Sequence, residues 1–429
     1  MYSLGDPSIP QLVCGLPAFS RGCEMTTASV PARVLSILIL PFALSTLPAK
    51  SQENESVGTT RSESGQLERG YREAIAAMES RDGAYAEGLS ESLLSLARSL
   101  QSQGRHDEAI DVFRRGTHLS RVNEGLYCEQ QIPLVQGEIG SHVAKGNYAL
   151  ADERQRYLAR VQVRSLESGK SLTTAFMQQA KWQFQAYRLG LEELGHTRLM
   201  NMWEYYGRAR EDVIAREGDT SPNLLPPLYG MLQAQYLISG YKWVEPPQSF
   251  GDGVRLDPEV IRFKSYRAKS YQQGSAVIAD IYDIEQEHFA QDKMTLAQTL
   301  VMLGDWRLWN GDTEAAWQAY EEAETELAGQ DDAQLQTKQL FGEPVPLPDF
   351  AALSPLPSSV DPDDANIMVA FAVNERGKVE DLERLDEDDE YNSQARRLMR
   401  TLRHTKFRPR FEAGEPIETE KLVKAFSIQ

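Results

Sequence analysis

Apolar residues recur at three- and four-residue spacings along much of the chain, and this pattern predicts amphipathic helices. The first clear apolar face is formed by Leu89, Leu93, Leu96, Ala97 and Leu100. Gly104 interrupts the pattern, and a second apolar face then follows at Ala109, Ile110, Phe113 and Leu119. Two apolar faces separated by a short glycine-containing break predict a pair of helices joined by a turn.

A second copy of this arrangement lies far downstream. Thirteen positions separate Leu96 from Ala109, and thirteen separate Leu303 from Ala316. In both copies, small residues stand where paired helices would approach closely and larger ones stand where a gap would need filling. The residues predicted to pack the two hairpins are Leu96, Ala97, Ala109, Phe113, Leu303, Gly304, Ala316 and Tyr320.

These spacings resemble those of the tetratricopeptide repeat family, whose helical hairpins stack on one another. The resemblance covers about 90–121 and 300–328. It departs from the family pattern at Arg121, where a terminal proline is usual. It departs again at Leu300 and Arg307, where tryptophan and tyrosine are usual.

The stretch between the two copies has helical spacing but no clear repeat. A weaker copy of the turn occupies 146–151, and a further helix is predicted over 259–290. Stacked hairpins need neighbours to bury their apolar faces. We therefore predict one α-solenoid-like domain over 66–330, with degenerate repeats in its middle; the alternative is an irregular helical domain with two chance matches.

The pattern changes near the C-terminus. Prolines are dense from 344 to 362, which predicts a stiff linker over 331–362. Apolar residues then alternate with period two from Ile367 to Val373, followed by a hairpin turn, a second strand, a helix over 391–403 and a last hairpin. This order predicts a small α+β domain over 363–429, in which 406–411 pairs with 422–428.

This C-terminal segment resembles the C-terminal domain of the TonB family. The matching stretches are 369–379, 407–409 and 414–416, within about 65 residues, whereas the usual Tyr-Pro opening is replaced by 358–364. The resemblance implies that the final strand receives a partner peptide along its free edge. The residues predicted to bind that partner are Arg408, Arg410, Val423, Lys424, Ala425 and Phe426.

An apolar run over 34–44, preceded by Arg33, is too short to span a bilayer as a helix and is typical of a secretory signal. We predict a signal peptide over 1–50, with Met25 as a possible true start, and a flexible leader over 51–65. The alternative is an uncleaved membrane anchor. Export would place the protein in the periplasm and leave Cys128 as the sole cysteine of the mature chain.

Charge and composition argue against several classes of function. The 429 residues carry 45 Lys plus Arg against 63 Asp plus Glu, a formal net charge of −18, which argues against binding to a phosphate backbone. Phosphate-binding loops, nucleophile elbows and His-Glu-x-x-His motifs are absent from the sequence. Two Glu-x-x-His pairs, Glu193/His196 and Glu285/His288, could each place two metal ligands on one helix face.

We therefore expect a multidomain protein, an all-α tetratricopeptide-like solenoid followed by a small α+β TonB-like domain. We expect it to act as a periplasmic interaction scaffold, not as an enzyme, and to need no cofactor. Its expected partners are envelope proteins or peptides, with membrane contact only through associated proteins and no nucleic acid. The alternative is an envelope enzyme or a metal-binding helical protein.

The mature protein is expected to lack about the first 50 residues, because a signal peptidase removes such a segment during export. N-terminal sequencing of the protein from the periplasmic fraction measures this directly. Recovery of a mature chain that retains residues 34–44 would contradict the prediction.

Overall fold

The computed structural model describes residues 56–191, 195–242, 258–350, 352–386, 389–412 and 414–428. The architecture given below is that of the unit from Val57 to Gln429. The predicted signal over 1–50 lies outside the described residues. The predicted flexible leader does not hold over its whole length, because the first helix begins at Ser56.

Consecutive antiparallel helices make up most of the described chain. Their bounds are α1 Ser56–Asp82, α2 Leu89–Ser102, α3 His106–Glu124, α4 Gln131–Ala144, α5 Tyr148–Ser165, α6 Lys170–Arg188, α7 Gly195–Glu217, α8 Leu225–Gly240, α9 Pro258–Phe289, α10 Lys293–Trp309, α11 Thr313–Leu327 and α12 Ala333–Phe341. From α2 to α11, each helix packs against the next. The result is a helical, tetratricopeptide-like solenoid, and the helix predicted over 259–290 is α9.

The same turn ends four of these helices. Gly104, Gly146, Gly190 and Gly311 each have a φ between +62° and +89°, the left-handed region that glycine adopts without strain. After each glycine, the next N–H donates to the carbonyl five residues earlier, as in the 3.0 Å bond from Arg105 to Leu100. This is the Schellman arrangement, which satisfies carbonyls that a helix end leaves open. The middle of the solenoid is therefore more regular than its sequence pattern indicates.

Aromatic rings lie directly on glycines where helices cross. A Cβ added to Gly304 would lie 2.2 Å from Cε1 of Tyr320, and one added to Gly137 would lie 2.3 Å from Cζ of Phe113. Tyr320 and Phe113 are both fully buried. Of the eight residues predicted to pack the hairpins, Leu303 is half-buried and the other seven are buried.

A small sheet region follows the helices. Its elements are β1 Val345–Pro346, β2 Ile367–Val373, β3 Val379–Arg384, α13 Asn392–His404, β4 Phe407–Arg408, β5 Arg410–Glu412, β6 Glu415–Ile417 and β7 Leu422–Phe426. The main sheet is antiparallel with the order β3-β2-β7. Helix α13 covers one face of it with Ala395, Leu398 and Leu402. The predicted strand, turn, strand and helix are all present.

The predicted last hairpin is wrong. Strand β7 pairs with β2, in a register from Ile367 opposite Phe426 to Phe371 opposite Leu422. Strand β4 pairs with β1, and β5 pairs with β6. Pro409 separates β4 from β5, and because it has no N–H it cannot continue a ladder across 406–411.

The predicted linker over 331–362 is not an extended spacer. It contains α12, and its strand β1 pairs with β4 of the sheet region. Leu347 is buried beside Phe341, and the Phe350 ring lies 5.5 Å from that of Tyr236 on α8. Apolar side chains between the prolines bury this segment, and an edge strand tolerates Pro346.

Ala316→Leu is expected to lower the free energy of unfolding by about 1–3 kcal/mol, because the added carbons must enter a filled space between helices. Ala316 is fully buried on α11. Urea denaturation followed by circular dichroism measures the change. Gln318→Leu is the matched control, since Gln318 is exposed on the same helix and its replacement should be nearly neutral. Equal stability of the two variants would contradict the packing assignment.

Candidate functional site

The outer side of β7 is an open strand edge. Ala425 faces away from β2, since its carbonyl accepts a 2.9 Å hydrogen bond from the N–H of Val360. Backbone groups alternate in direction along a strand, so Val423, two residues earlier, faces the same outer side. Within the part of the chain that the structure describes, no other segment makes a backbone hydrogen bond with Val423 there. Its side chain is also exposed, at 54%.

The other predicted binding residues of β7 have different surroundings. Lys424 is half-buried, and its Nζ lies 3.2 Å from the carboxylate of Glu343. Ala425 is buried. Phe426 is also buried, in the core that the sheet shares with α13, so its predicted role in contacting a partner is wrong. The edge therefore offers its backbone and the Val423 side chain, not a row of exposed side chains.

Arg408 does not bind a partner at this edge. Its side chain is buried, and its Nη1 donates to Oδ2 of Asp305 on α10 at 2.9 Å. Asp349 lies on the other side of the same guanidinium, with Oδ2 3.4 Å from Nη2. The hydroxyl of Tyr320 donates to Oδ1 of Asp305 at 2.8 Å. Arg408 thus attaches the sheet region to the helices, whereas Arg410 stays exposed and pairs with Glu412 at 2.8 Å.

Burial sets the electrostatics of this ion pair. Removal from water raises the pKa of Asp305 to about 6, although the positive charge of Arg408 acts in the opposite direction. Burial also raises the pKa of Tyr320 well above its usual value, so its hydroxyl remains a donor. Asp305 was not among the residues predicted from the sequence, although a carboxylate on the apolar side of α10 is a signal for a buried cationic partner.

Three further hydrogen bonds fix the sheet region to α10 and α11. Lys406 Nζ donates to the carbonyls of Leu308 and Trp309 at 3.3 and 3.0 Å. These are end carbonyls of α10, where the helix dipole attracts a positive charge, and that of Leu308 also accepts from the N–H of Gly311 at 3.0 Å. The N–H of Gly414 donates to Glu324 on α11 at 2.9 Å. The sheet region is therefore held on the helices by hydrogen bonds as well as by packing.

The residues of the predicted metal pairs are not brought together. Glu285 is buried and accepts from Tyr229 at 3.1 Å and Thr299 at 2.6 Å, and burial raises its pKa. His288 is exposed, with Nε2 2.8 Å from the carbonyl of Thr220. His196 is buried against aromatic rings, and Glu193 lies outside the described residues. Among the residues that the structure covers, no three His, Cys, Asp or Glu side chains form a group suited to a metal.

Four exposed arginines lie on one side of α13. They are Arg396, Arg397, Arg400 and Arg403. Arg408, which follows this helix, is in contrast buried. Across the described ranges, no helix is both long and apolar enough to cross a bilayer.

Comparison with known proteins yields similarity in structure alone. No family model matches the chain, and no curated protein matches it. The crystal structure of BtubC (BKLC) from P. vanneervenii aligns with 14% identity and a TM-score of 0.35, covering 64% of this chain and 92% of that one. A Podosopora anserina protein described as a kinesin light chain with nearly identical TPR-like repeats aligns with 13% identity and a TM-score of 0.36, covering 56% and 94%. The superpositions are loose, so the tetratricopeptide-like character of this chain rests on its own hairpins and turns.

Asp305→Asn is expected to flatten the dependence of stability on pH. The folded-state pKa of about 6 exceeds the usual value of 3.8, so the folded state binds more protons between these two values. The carboxyl therefore contributes most to the free energy of unfolding at low pH. This contribution, roughly 3 kcal/mol, is lost as the pH rises from about 4 to 6. Urea denaturation across this interval, for wild type and variant, measures the difference in slope.

Asp349→Asn is the control, since Asp349 touches the same arginine but its side chain is 57% exposed. It should flatten the slope less than Asp305→Asn does, because an exposed charge is screened by water. Parallel curves for wild type and Asp305→Asn would show that Asp305 is not the titrating group.

Proposed function

We propose that this protein binds an extended segment of a partner protein along the free edge of β7 and acts as an interaction scaffold. The observation that carries the proposal is the outward-facing backbone of Val423 on an edge strand whose other side is fully paired with β2. An added strand would satisfy the free N–H and carbonyl with main-chain hydrogen bonds. Such bonds supply affinity with little demand on the partner's sequence.

The contact at Ala425 sets one boundary for that partner strand. Val360 already occupies the carbonyl of Ala425, as a single backbone bond from the chain itself. A partner therefore pairs beside Val423 and towards Leu422, and it stops where Val360 begins. Lys424 cannot contribute an outward backbone group, because it pairs with Val369 of β2.

The helical hairpins contribute a second surface to the proposal. Stacked helical repeats present extended surfaces on which peptides and partner helices bind. Part of the surface here is already covered, since Phe350 and Leu353 pack against the cluster that contains Tyr236. We therefore place partner binding on the remaining surface of the stack.

The cellular setting is part of the proposal and rests on the sequence. The apolar run over 34–44 supports export, and the stretch 369–379 supports a TonB-like character for the sheet region. The partner is then an envelope protein or peptide, and the protein reaches the membrane only through it. The proposed role is binding, without catalysis.

Val423→Pro tests the edge, because proline removes the outward N–H while leaving the pairing with β2 intact. Full-length wild type and variant, each confirmed as folded by thermal unfolding, serve as baits in envelope extract. We expect a protein retained by wild type to be lost from Val423→Pro, and its recovery is quantified by mass spectrometry.

Two controls separate the backbone from the side chain and from the fold. Val423→Ala removes the exposed side chain but keeps the N–H, so it should retain the partner. Lys424→Pro removes a backbone group that faces β2 and should destabilise the sheet region. Full retention of every wild-type partner by a folded Val423→Pro variant would overturn the strand-edge proposal.

A further inference from the structure

A basic cleft lies between α3 and α5, on the helical part of the molecule and apart from the strand edge. Its volume is about 330 Å³. The residues that line it are Arg114, Thr117, His118, Arg121, Arg154 and Tyr157. The four residues from α3 are spaced at three and four positions, so they share one face of that helix.

A buried glutamate holds two of these arginines in place. Glu138 of α4 is fully buried, and its Oε1 accepts from Nε of Arg114 at 2.9 Å. Its Oε2 accepts from Nε of Arg154 at 2.9 Å. Arginines held in this way lose little further freedom when they bind a ligand, so the cleft is preorganised.

The cleft carries more positive charge than its own carboxylate neutralises. Arg121 is exposed, and it makes no ion pair with any other residue that the structure describes. Three guanidinium groups against the single carboxylate of Glu138 leave an excess of two positive charges. This local excess stands out in a chain whose formal net charge is −18.

We propose that this cleft binds a phosphate group carried by a small molecule. A phosphate monoester has up to two negative charges and three strong acceptor oxygens, which match the charge excess and the several guanidinium donors. A carboxylate ligand would bring only one negative charge and two acceptor oxygens. The cleft already contains one carboxylate, that of Glu138. The volume is at the lower end of the range for small-molecule sites.

One wall of the cleft is aromatic and suits the remainder of such a ligand. The Tyr157 ring is half-buried, and the guanidinium carbon of Arg154 lies 4.8 Å from its centroid. Its hydroxyl donates to Gln131, which fixes the ring. The guanidinium carbon of Arg160 also lies over this ring, 5.9 Å from its centroid. A flat apolar group next to the phosphate would therefore pack against the part of Tyr157 that the two arginines leave uncovered, while the phosphate reaches Arg121.

Isothermal titration of the full-length protein, in phosphate-free buffer at low salt, tests the proposal with inorganic phosphate, phenyl phosphate and benzoate. We expect saturable binding of phenyl phosphate, and Arg121→Gln should weaken it by about tenfold or more, as loss of a charge-assisted contact does. Inorganic phosphate that binds as tightly as phenyl phosphate would identify the free ion as the ligand. Tighter phenyl phosphate would identify an ester.

Arg98→Gln is the matched control, since Arg98 is exposed on α2, outside the cleft, and the variant loses the same charge. It should change the affinity less than about twofold, because an exposed charge outside the site is screened by solvent. Equal weakening by Arg98→Gln and Arg121→Gln would overturn the location of the site. Benzoate that binds as tightly as phenyl phosphate, or the absence of saturation by either phosphate compound up to about 10 mM, would overturn the assignment to phosphate.

Discussion

The ion pair between Arg408 and Asp305 determines how the two parts of the described chain fit together. Both side chains are buried, so each lost its hydration and each depends on the other for compensation. Removal of one partner from such a pair leaves an isolated buried charge, at a cost of about 3–5 kcal/mol. Because Arg408 belongs to β4, the pair also places β1, which is hydrogen-bonded to β4, against the last helical hairpins.

The sequence predicted those elements whose formation depends on the conformational preferences and packing of neighbouring residues. The turn after Gly104 needs a left-handed residue, and the packing of Gly304 under Tyr320 needs a missing Cβ, so both are visible in the residue types alone. The alternation from Ile367 to Val373 likewise predicted β2, since one face of that strand meets α13. The turn at Gly190 was not predicted from the sequence. The other three turn glycines are each followed by a polar residue and, within five positions, by an alanine, whereas Gly190 is followed by a leucine.

Contacts between distant residues could not be predicted in the same way. Nothing in the residues around Arg408 indicates a carboxylate partner, and that partner is Asp305, 103 residues earlier in the chain. The pairing of β7 with β2 depends on Pro409 and on the core around Phe426, not on a local turn. The prolines of 344–362 predicted a spacer. The apolar residues between them instead pack this segment against the helices.

The pairing of β1 with β4 has a consequence for how the chain folds. β1 follows the helices directly, and β4 comes after β2, β3 and α13, so this pair closes a loop that contains most of the sheet region. The compensation of Arg408 needs Asp305 of α10, and the main sheet needs β7, which follows β6 in the chain. Since the helices precede the sheet region in the chain, they are synthesised before the residues that complete that region. A fragment that begins after β1 would retain the strands of the sheet but would lack both the partner strand of β4 and the carboxylate that compensates Arg408.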